Sequence, residues 1–158
     1  MLNISMVRVD ERLVHGQIII KWIEAKKANK IVIVDDEAAS DPIMVKILKL
    51  TLPKGIELSI YDLEEGPDFL ITNNSDDNVI VLVKNLWVVK EIYEKGVRLK
   101  EVNIGRIPSG VGKKKVHTNV FLSDGDMDII EFFKNEGISV FIQIVPDSTP
   151  INVYDLEF

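Results

Sequence analysis

The chain has 158 residues, 19 basic and 25 acidic side chains, and a formal charge of −6. That length suits one domain, residues 1–158, able to bury about 70% of the surface its unfolded chain would expose, and the negative sign argues against a general nucleic-acid binder, whose affinity rests on a basic face. Cysteine is absent, which excludes a disulfide framework, a thiolate nucleophile and a cysteine-ligated zinc site, and no stretch reaches the ~20 apolar residues of a membrane span or begins like an export signal.

Ile4 to Val9 is a short apolar run with β-branched residues, predicting a buried strand that Asp10 ends. From Gly16 the period changes, because Ile19, Trp22 and Ile23 fall three and four apart. Gln17 to Lys26 therefore predicts an amphipathic helix with basic residues at its carboxyl end. Ile31 to Val34 is an uninterrupted apolar strand. Ser40-Asp41-Pro42 opens the next helix, to which Ile43, Ile47, Leu48 and Leu50 are assigned as the buried face.

Ile56 to Tyr61 predicts a third strand, and Leu63 to Thr72 a short or irregular helix, interrupted by Gly66-Pro67. Val79 to Val83 is the clearest central strand, followed by a helix over Leu86 to Tyr93 that Gly96 closes. Val102 to Ile104 is a brief strand entering the glycine- and proline-rich loop Gly105 to Gly112. Val116 to Leu122 predicts one strand, Ser123 to Glu136 a helix capped by Ser123 or Asp124, and Ile138 to Val145 a last strand. Pro146 to Phe158 is expected to be irregular; its apolar residues from Ile151 onward serve either a homodimer or packing on their own domain.

Strand and helix alternate over most of the length, which implies a mainly parallel sheet covered by helices. Ligands of such α/β sheets bind outside the carboxyl ends of the strands. Four stretches share that edge: the turn at His15, Asp35-Asp36, Lys84-Asn85 and the Gly105 to Gly112 loop.

The turn carries the most chemistry. A neutral imidazole has a free lone pair on one ring nitrogen and acts as a nucleophile. Beside a helix start, with Arg8 and Arg12 near in sequence, His15 sits in a field that favours an anion such as phosphate. Strand alternation sends Arg8 and Asp10 to one face and Val7 and Val9 to the other, and Asp10 is suited to hold Arg12 or to orient the ring. Gly16 lets the chain turn tightly and brings backbone N–H groups near Gly16 and Gln17 to an anion. A histidine that only caps or packs is the plainer reading, and these residues alone leave it open.

The string Arg8-Val9-Asp10-Glu11-Arg12-Leu13-Val14-His15-Gly16-Gln17 closely resembles the active-site signature of the enzyme IIB components of the mannose/fructose/sorbose class of bacterial phosphoenolpyruvate:sugar phosphotransferase systems. The resemblance continues in Val34 to Ala39, Gly96-Val97 and Val102 to Gly105, and covers nearly the whole chain. It implies a phosphoryl carrier. The residue matching His15 accepts a phosphoryl group on Nδ1 from a phosphohistidine of the IIA component, then passes it to a sugar taken up through the membrane components IIC and IID. It also implies that Arg12 helps hold the phosphoryl group, a sheet of about seven strands flanked by helices, no metal or cofactor, and a cytoplasmic protein that meets the membrane only peripherally. Asp10 joins His15 and Arg12 as catalytic; Arg8, Gly16 and Gln17 are assigned to phosphate binding.

Arg106 and Ile107 stand where many family members have a second glycine and then a methionine. Arg106 either adds charge to the site or faces IIA. Lys113-Lys114-Lys115 reads as a solvated loop, with an acidic partner as the sharper alternative. His117 reads as structural, Asp35 and Asp36 as helix caps in preference to a metal or aspartyl-phosphate site, and Gly110 lacks the following Lys of a phosphate-binding P-loop. Gly137 to Gln143 with Val145-Pro146-Asp147 resembles the N-acetylgalactosamine or galactosamine branch. The competing readings are a non-catalytic ligand-binding module and a regulatory protein that no longer serves transport.

Overall fold

The structure, a computed structural model, describes residues 2–157. In chain order it contains β1 (Asn3–Asp10), α1 (Gly16–Lys26), β2 (Lys30–Val34), α2 (Asp36–Ala39), α3 (Pro42–Leu50), β3 (Glu57–Tyr61), α4 (Glu65–Thr72) and β4 (Asn78–Val83). There follow α5 (Leu86–Glu94), β5 (Glu101–Arg106), β6 (Lys114–His117), β7 (Val120–Leu122), α6 (Asp124–Asn135), β8 (Ser139–Ile142), β9 (Ile151–Asn152) and a 3-10 turn at Val153–Asp155. Seven strands form one sheet in the order β3-β2-β4-β1-β5-β8-β9. All its neighbours run parallel except β9, which is antiparallel to β8. This is the single-domain α/β architecture expected from the alternation.

Strand alternation builds two cores, one on each face. Val7, Val9, Val32, Val34, Val81 and Val83 pack with Leu86, Val89 and Ile92 of α5 and Ile130 and Phe133 of α6. Met6, Ile31, Ile33, Ile80 and Leu82 point the other way, against Ile19, Trp22 and Ile23 of α1 and Leu48 of α3. Because β4 lies between β2 and β1 and is covered on both faces, Val79 to Val83 are fully buried. The caps follow sequence chemistry: Asp41 precedes Pro42 in α3, Asn85 caps α5, and Ser123 forms a capping box with Asp126. Gly96 takes the left-handed φ of +108° just past α5.

Several expectations are corrected. Val116 to Leu122 is not one strand: the chain reverses at Thr118-Asn119, and β6 and β7 form an antiparallel hairpin. Asn119 favours a turn, and the β-forming residues on both sides had masked it. α4, expected as short or irregular, is the short alternative, a regular helix of eight residues from Glu65 to Thr72. Its Pro67 falls in the first turn, where no backbone donor is needed, and Gly66 is there because a Cβ would come 2.9 Å from the Val34 side chain.

α3 buries Leu48 but leaves Ile43, Ile47 and Leu50 exposed by 72%, 56% and 86%. The core is met through Met44 and Leu48, a four-residue step on the opposite side of the helix. The last strand stops at Ile142. The tail is ordered: β9 pairs with β8, Val153 is fully buried, and Tyr154 donates to the Ile138 carbonyl. Ile151 and Leu156 likewise pack on their own domain; Phe158, included in the homodimer alternative, lies outside the described residues.

The parallel strands bring their carboxyl ends to one edge. There β1 and β5 are neighbours whose connections diverge, β1 leading to β2 on one side and β5 to β8 on the other. Such a reversal opens a crevice at the strand ends.

Candidate functional site

β1 ends at Asp10, whose carbonyl accepts a hydrogen bond from the Leu13 N–H at 2.9 Å, closing a tight turn. Leu13 adopts the left-handed φ of +59°, which costs a non-glycine residue about 1–2 kcal/mol. Its side chain is buried, a gain of about 1.5–3 kcal/mol that offsets the strain. Leu13 and the buried Val14 fasten the loop from below. His15, the residue after them, is left exposed with Gly16 and Gln17.

His15 is the N-cap residue of α1, and neither its side chain nor any other caps the helix. The first turn of α1 also lacks an acidic residue. Its unpaired backbone N–H groups and positive dipole end therefore stand open beside the imidazole. Gly16 has φ +46°, and a Cβ there would meet nothing within 4 Å. Conformation is the constraint at that position.

Arg12 is held in place. Its Nε donates to Oδ1 of Asp10 at 3.0 Å and its Nη2 to Oδ2 at 2.9 Å, while its backbone N–H reaches the same Oδ1. Hydrogen bonding to Asp10 raises the Arg12 pKa above its ordinary value. A bidentate pair of this kind fixes the guanidinium plane, and about a quarter of the Arg12 side chain remains open to solvent.

Arg8, assigned from sequence to phosphate binding, faces the same way as Asp10 but lies inside the protein. Its guanidinium donates to Asn103 and to the carbonyls of Gln143 and Ile144, and it is 2% exposed. It offers no open surface to an anion. The strand period predicts its face; Asn103, a buried amide between Val102 and Ile104, is the sequence signal that a polar partner waits beneath.

Around the turn the charges nearly balance. Arg106, at the end of β5, pairs its Nε with Glu11 at 2.8 Å and lies opposite Asp10 in the strand register. Three guanidiniums, of Arg8, Arg12 and Arg106, thus face two carboxylates, of Asp10 and Glu11, leaving one positive charge in excess.

Other singled-out residues do different work. Asp35 accepts from the Ala38 N–H and caps α2, and it pairs with Lys84 at 3.2 Å. Asp36 accepts from the Leu63 N–H. His117 sits half-buried in the β6–β7 hairpin with its Nδ1 buried and unpartnered. Lys113 donates to the Pro108 carbonyl, and Lys114 and Lys115 are exposed. Among the described residues no His, Asp and Glu group is arranged to hold a metal ion. Two clefts, of about 580 and 300 Å³, lie beside Trp87 and beside Trp22, and His15 lines neither.

This arrangement suits a nucleophile reached by other macromolecules more than a site enclosing a small ligand. The comparisons with known proteins identify the family. Residues 4–157 match the family described as PTS system sorbose subfamily IIB component. The N-acetylgalactosamine-specific phosphotransferase enzyme IIB component 1 of Escherichia coli is 32% identical over 145 residues, covering 91% of this chain and 92% of that protein. The IIBSor domain of the sorbose permease from Klebsiella pneumoniae superimposes with a TM-score of 0.91 at 26% identity, covering 97% of this chain and 94% of that one. The mannose-specific EIIAB component of E. coli is 26% identical over 156 residues, and the match takes in 97% of this chain but 48% of that longer protein.

Proposed function

The chain belongs to the sorbose-subfamily IIB components of the phosphotransferase system, and we propose that His15 is the residue that carries its phosphoryl group. The observation behind this reading is the exposure of His15 at the uncapped start of α1, three residues along the chain from Arg12, which Asp10 already holds in a fixed plane. In the proposed cycle a ring nitrogen of His15 attacks the phosphorus of a phosphohistidine on IIA; the new P–N bond forms as the donor's P–N bond breaks. Arg12 and the N–H groups at the start of α1 stabilise the charge on the phosphoryl oxygens as it moves. A sugar hydroxyl oxygen then attacks the same phosphorus: the P–O bond forms as the His15 P–N bond breaks, the ring nitrogen regains its lone pair, and the hydroxyl proton leaves to solvent.

The donor is proposed to be IIA because the mannose-specific relative combines A and B components in one EIIAB chain, about half of which this chain matches. Among the described residues no helix is long and apolar enough to cross a membrane. In the proposed scheme the sugar enters through separate membrane components, IIC and IID, which this chain meets from the cytoplasmic side. N-acetylgalactosamine or galactosamine is the proposed substrate class, supported by 32% identity to one N-acetylgalactosamine-specific relative; a second such relative is 26% identical, level with the mannose- and sorbose-specific ones.

The test is phosphoryl transfer in vitro from phosphoenolpyruvate through the two general phosphotransfer proteins and a mannose-class IIA, followed by intact mass and acid lability. One acid-labile phosphoryl group that is absent from His15→Ala is the expected result. A wild type left unmodified by several active IIA partners would favour a binding or regulatory protein. Label that persists in His15→Ala would move the site, with His117 next to examine.

A further inference from the structure

A guanidinium gripped along one edge by a carboxylate is a weakened hook for a second anion: its outer N–H groups stay free, but the pair is neutral as a whole. Arg12 is gripped in this way by Asp10. What restores attraction is the charge beneath the pair. Arg8 is buried to 2% exposure, and its hydrogen bonds go to neutral acceptors: the Asn103 amide and the carbonyls of Gln143 and Ile144. Those oxygens accept hydrogen bonds from Nη1 and Nη2 without cancelling the charge.

The indole of Trp22 covers the guanidinium, with its ring centre 5.4 Å from Cζ, and its Nε1 donates to the same Ile144 carbonyl. The carboxylate facing Arg8 is that of Asp10, with Oδ2 3.9 Å from Nη2. That separation is too long for a hydrogen bond and well within Coulomb reach. Burial lowers the Arg8 pKa to about 10, still far enough above neutrality to keep the group charged.

We propose that Arg8 is a positioning residue for phosphoryl transfer: without touching the phosphoryl group, it anchors Asp10 from below and leaves the Arg8–Asp10–Arg12 triad with a net positive charge, so that Arg12 still attracts an anion at His15. The inference rests on the carrier reading of His15 for its purpose, and on the triad alone for its physics. Arg8 is sealed in by Trp22, Asn103, Gln143, Ile144 and Asp10, while part of Arg12 is open. The excess charge is therefore felt by solvent through Arg12, at the end of the triad nearest the start of α1 in the chain. A low-dielectric setting strengthens that field relative to the same charge in water.

The test compares the full-length wild type with Arg8→Met, which removes the charge, and Arg8→Lys, which keeps the charge and loses the planar fork. Inorganic phosphate is titrated into each unphosphorylated protein, with binding read on the Gly16 and Gln17 amide resonances; the rate of phosphoryl transfer from phosphorylated IIA is measured alongside. The expected result is about fivefold weaker phosphate binding and at least tenfold slower transfer in Arg8→Met, with most of both recovered in Arg8→Lys. Equal behaviour of all three proteins overturns the proposal. So does equal weakening in both folded variants, which would assign the effect to the hydrogen-bond fork. Failure of the wild type to bind phosphate overturns it as well.

If Arg8→Met does not fold, Arg8→Gln takes its place, retaining a donor for Asn103 and no charge. The two readings fail separately. Charge-dependent phosphate binding in a protein that accepts no phosphoryl group from IIA would remove the carrier function and leave the role of Arg8 in place.

Discussion

A Cβ on Gly105 would lie 2.2 Å from Nη2 of Arg8 and 2.3 Å from its Cζ. The guanidinium fills the space that any side chain on that residue of β5 would need, so the two positions are constrained together. Gly105→Ala is expected to push Arg8 off its carbonyl partners and to lower stability by about 1–3 kcal/mol, the usual range for overpacking a filled interior. Urea unfolding measures this directly.

Gly16 makes a contrasting case. Open space surrounds its missing Cβ, but its φ of +46° is unfavourable for a side chain. Gly16→Ala should cost about 1 kcal/mol of unfolding free energy through conformation alone. Gly16→Asn, whose side chain tolerates this region better, is expected to recover part of that loss. Equal stability of the two variants in urea would count against the account.

The two apolar sides of α3 predict opposite mutational behaviour. Leu48 is buried, so Leu48→Ala should lower stability by about 2–5 kcal/mol. Ile47 is 56% exposed and touches mostly water on its outer side; Ile47→Ser should stay within about 0.5 kcal/mol, as surface substitutions do. Thermal unfolding of both variants, read by circular dichroism, separates the sides.

Tyr154 sets an alkaline limit. Burial, and then the nearby Glu131 charge, push its phenol up to about 12. An unfolded tyrosine ionises near 10. Between those values the folded state keeps a proton that the unfolded state has lost, so this group makes stability fall as pH rises from about 10 to about 12. Arg8 acts with the opposite sign, because burial lowers its value from the ordinary arginine range to about 10 and the unfolded state holds its proton longer. The contribution of Tyr154 is therefore read as a difference: Tyr154→Phe should show a shallower decline than the wild type across that window.

Much of the site was legible because strand and helix periods meet at it. The period of two put Arg8 and Asp10 on one face, and the three-and-four spacing of Ile19, Trp22 and Ile23 placed the start of α1 next to His15. The same periods say which way a side chain points and are silent on what lies there. Arg8 points toward the face shared with Asp10 and is sealed by Asn103 and the end of β8, 95 and 135 residues away in sequence. α3 misled for a related reason: Ile43, Ile47 and Leu50 are regularly spaced, and so are Met44 and Leu48, so spacing alone could not choose between two apolar stripes. The hairpin was hidden because the β-forming residues Val116 and Val120 to Leu122 flank Thr118-Asn119, the one turn signal between them.

The exposure of His15 has a consequence in time. A phosphoryl group placed there stands in open solvent, and water reaches its phosphorus as freely as a partner does. The loaded protein is then a leaking reservoir whose charge decays at a rate set by hydrolysis. What governs the yield of delivered phosphate is how often a loaded molecule meets an acceptor within its lifetime, so throughput should rise with the concentration of acceptors and with the speed of encounter more than with the tightness of any resting complex.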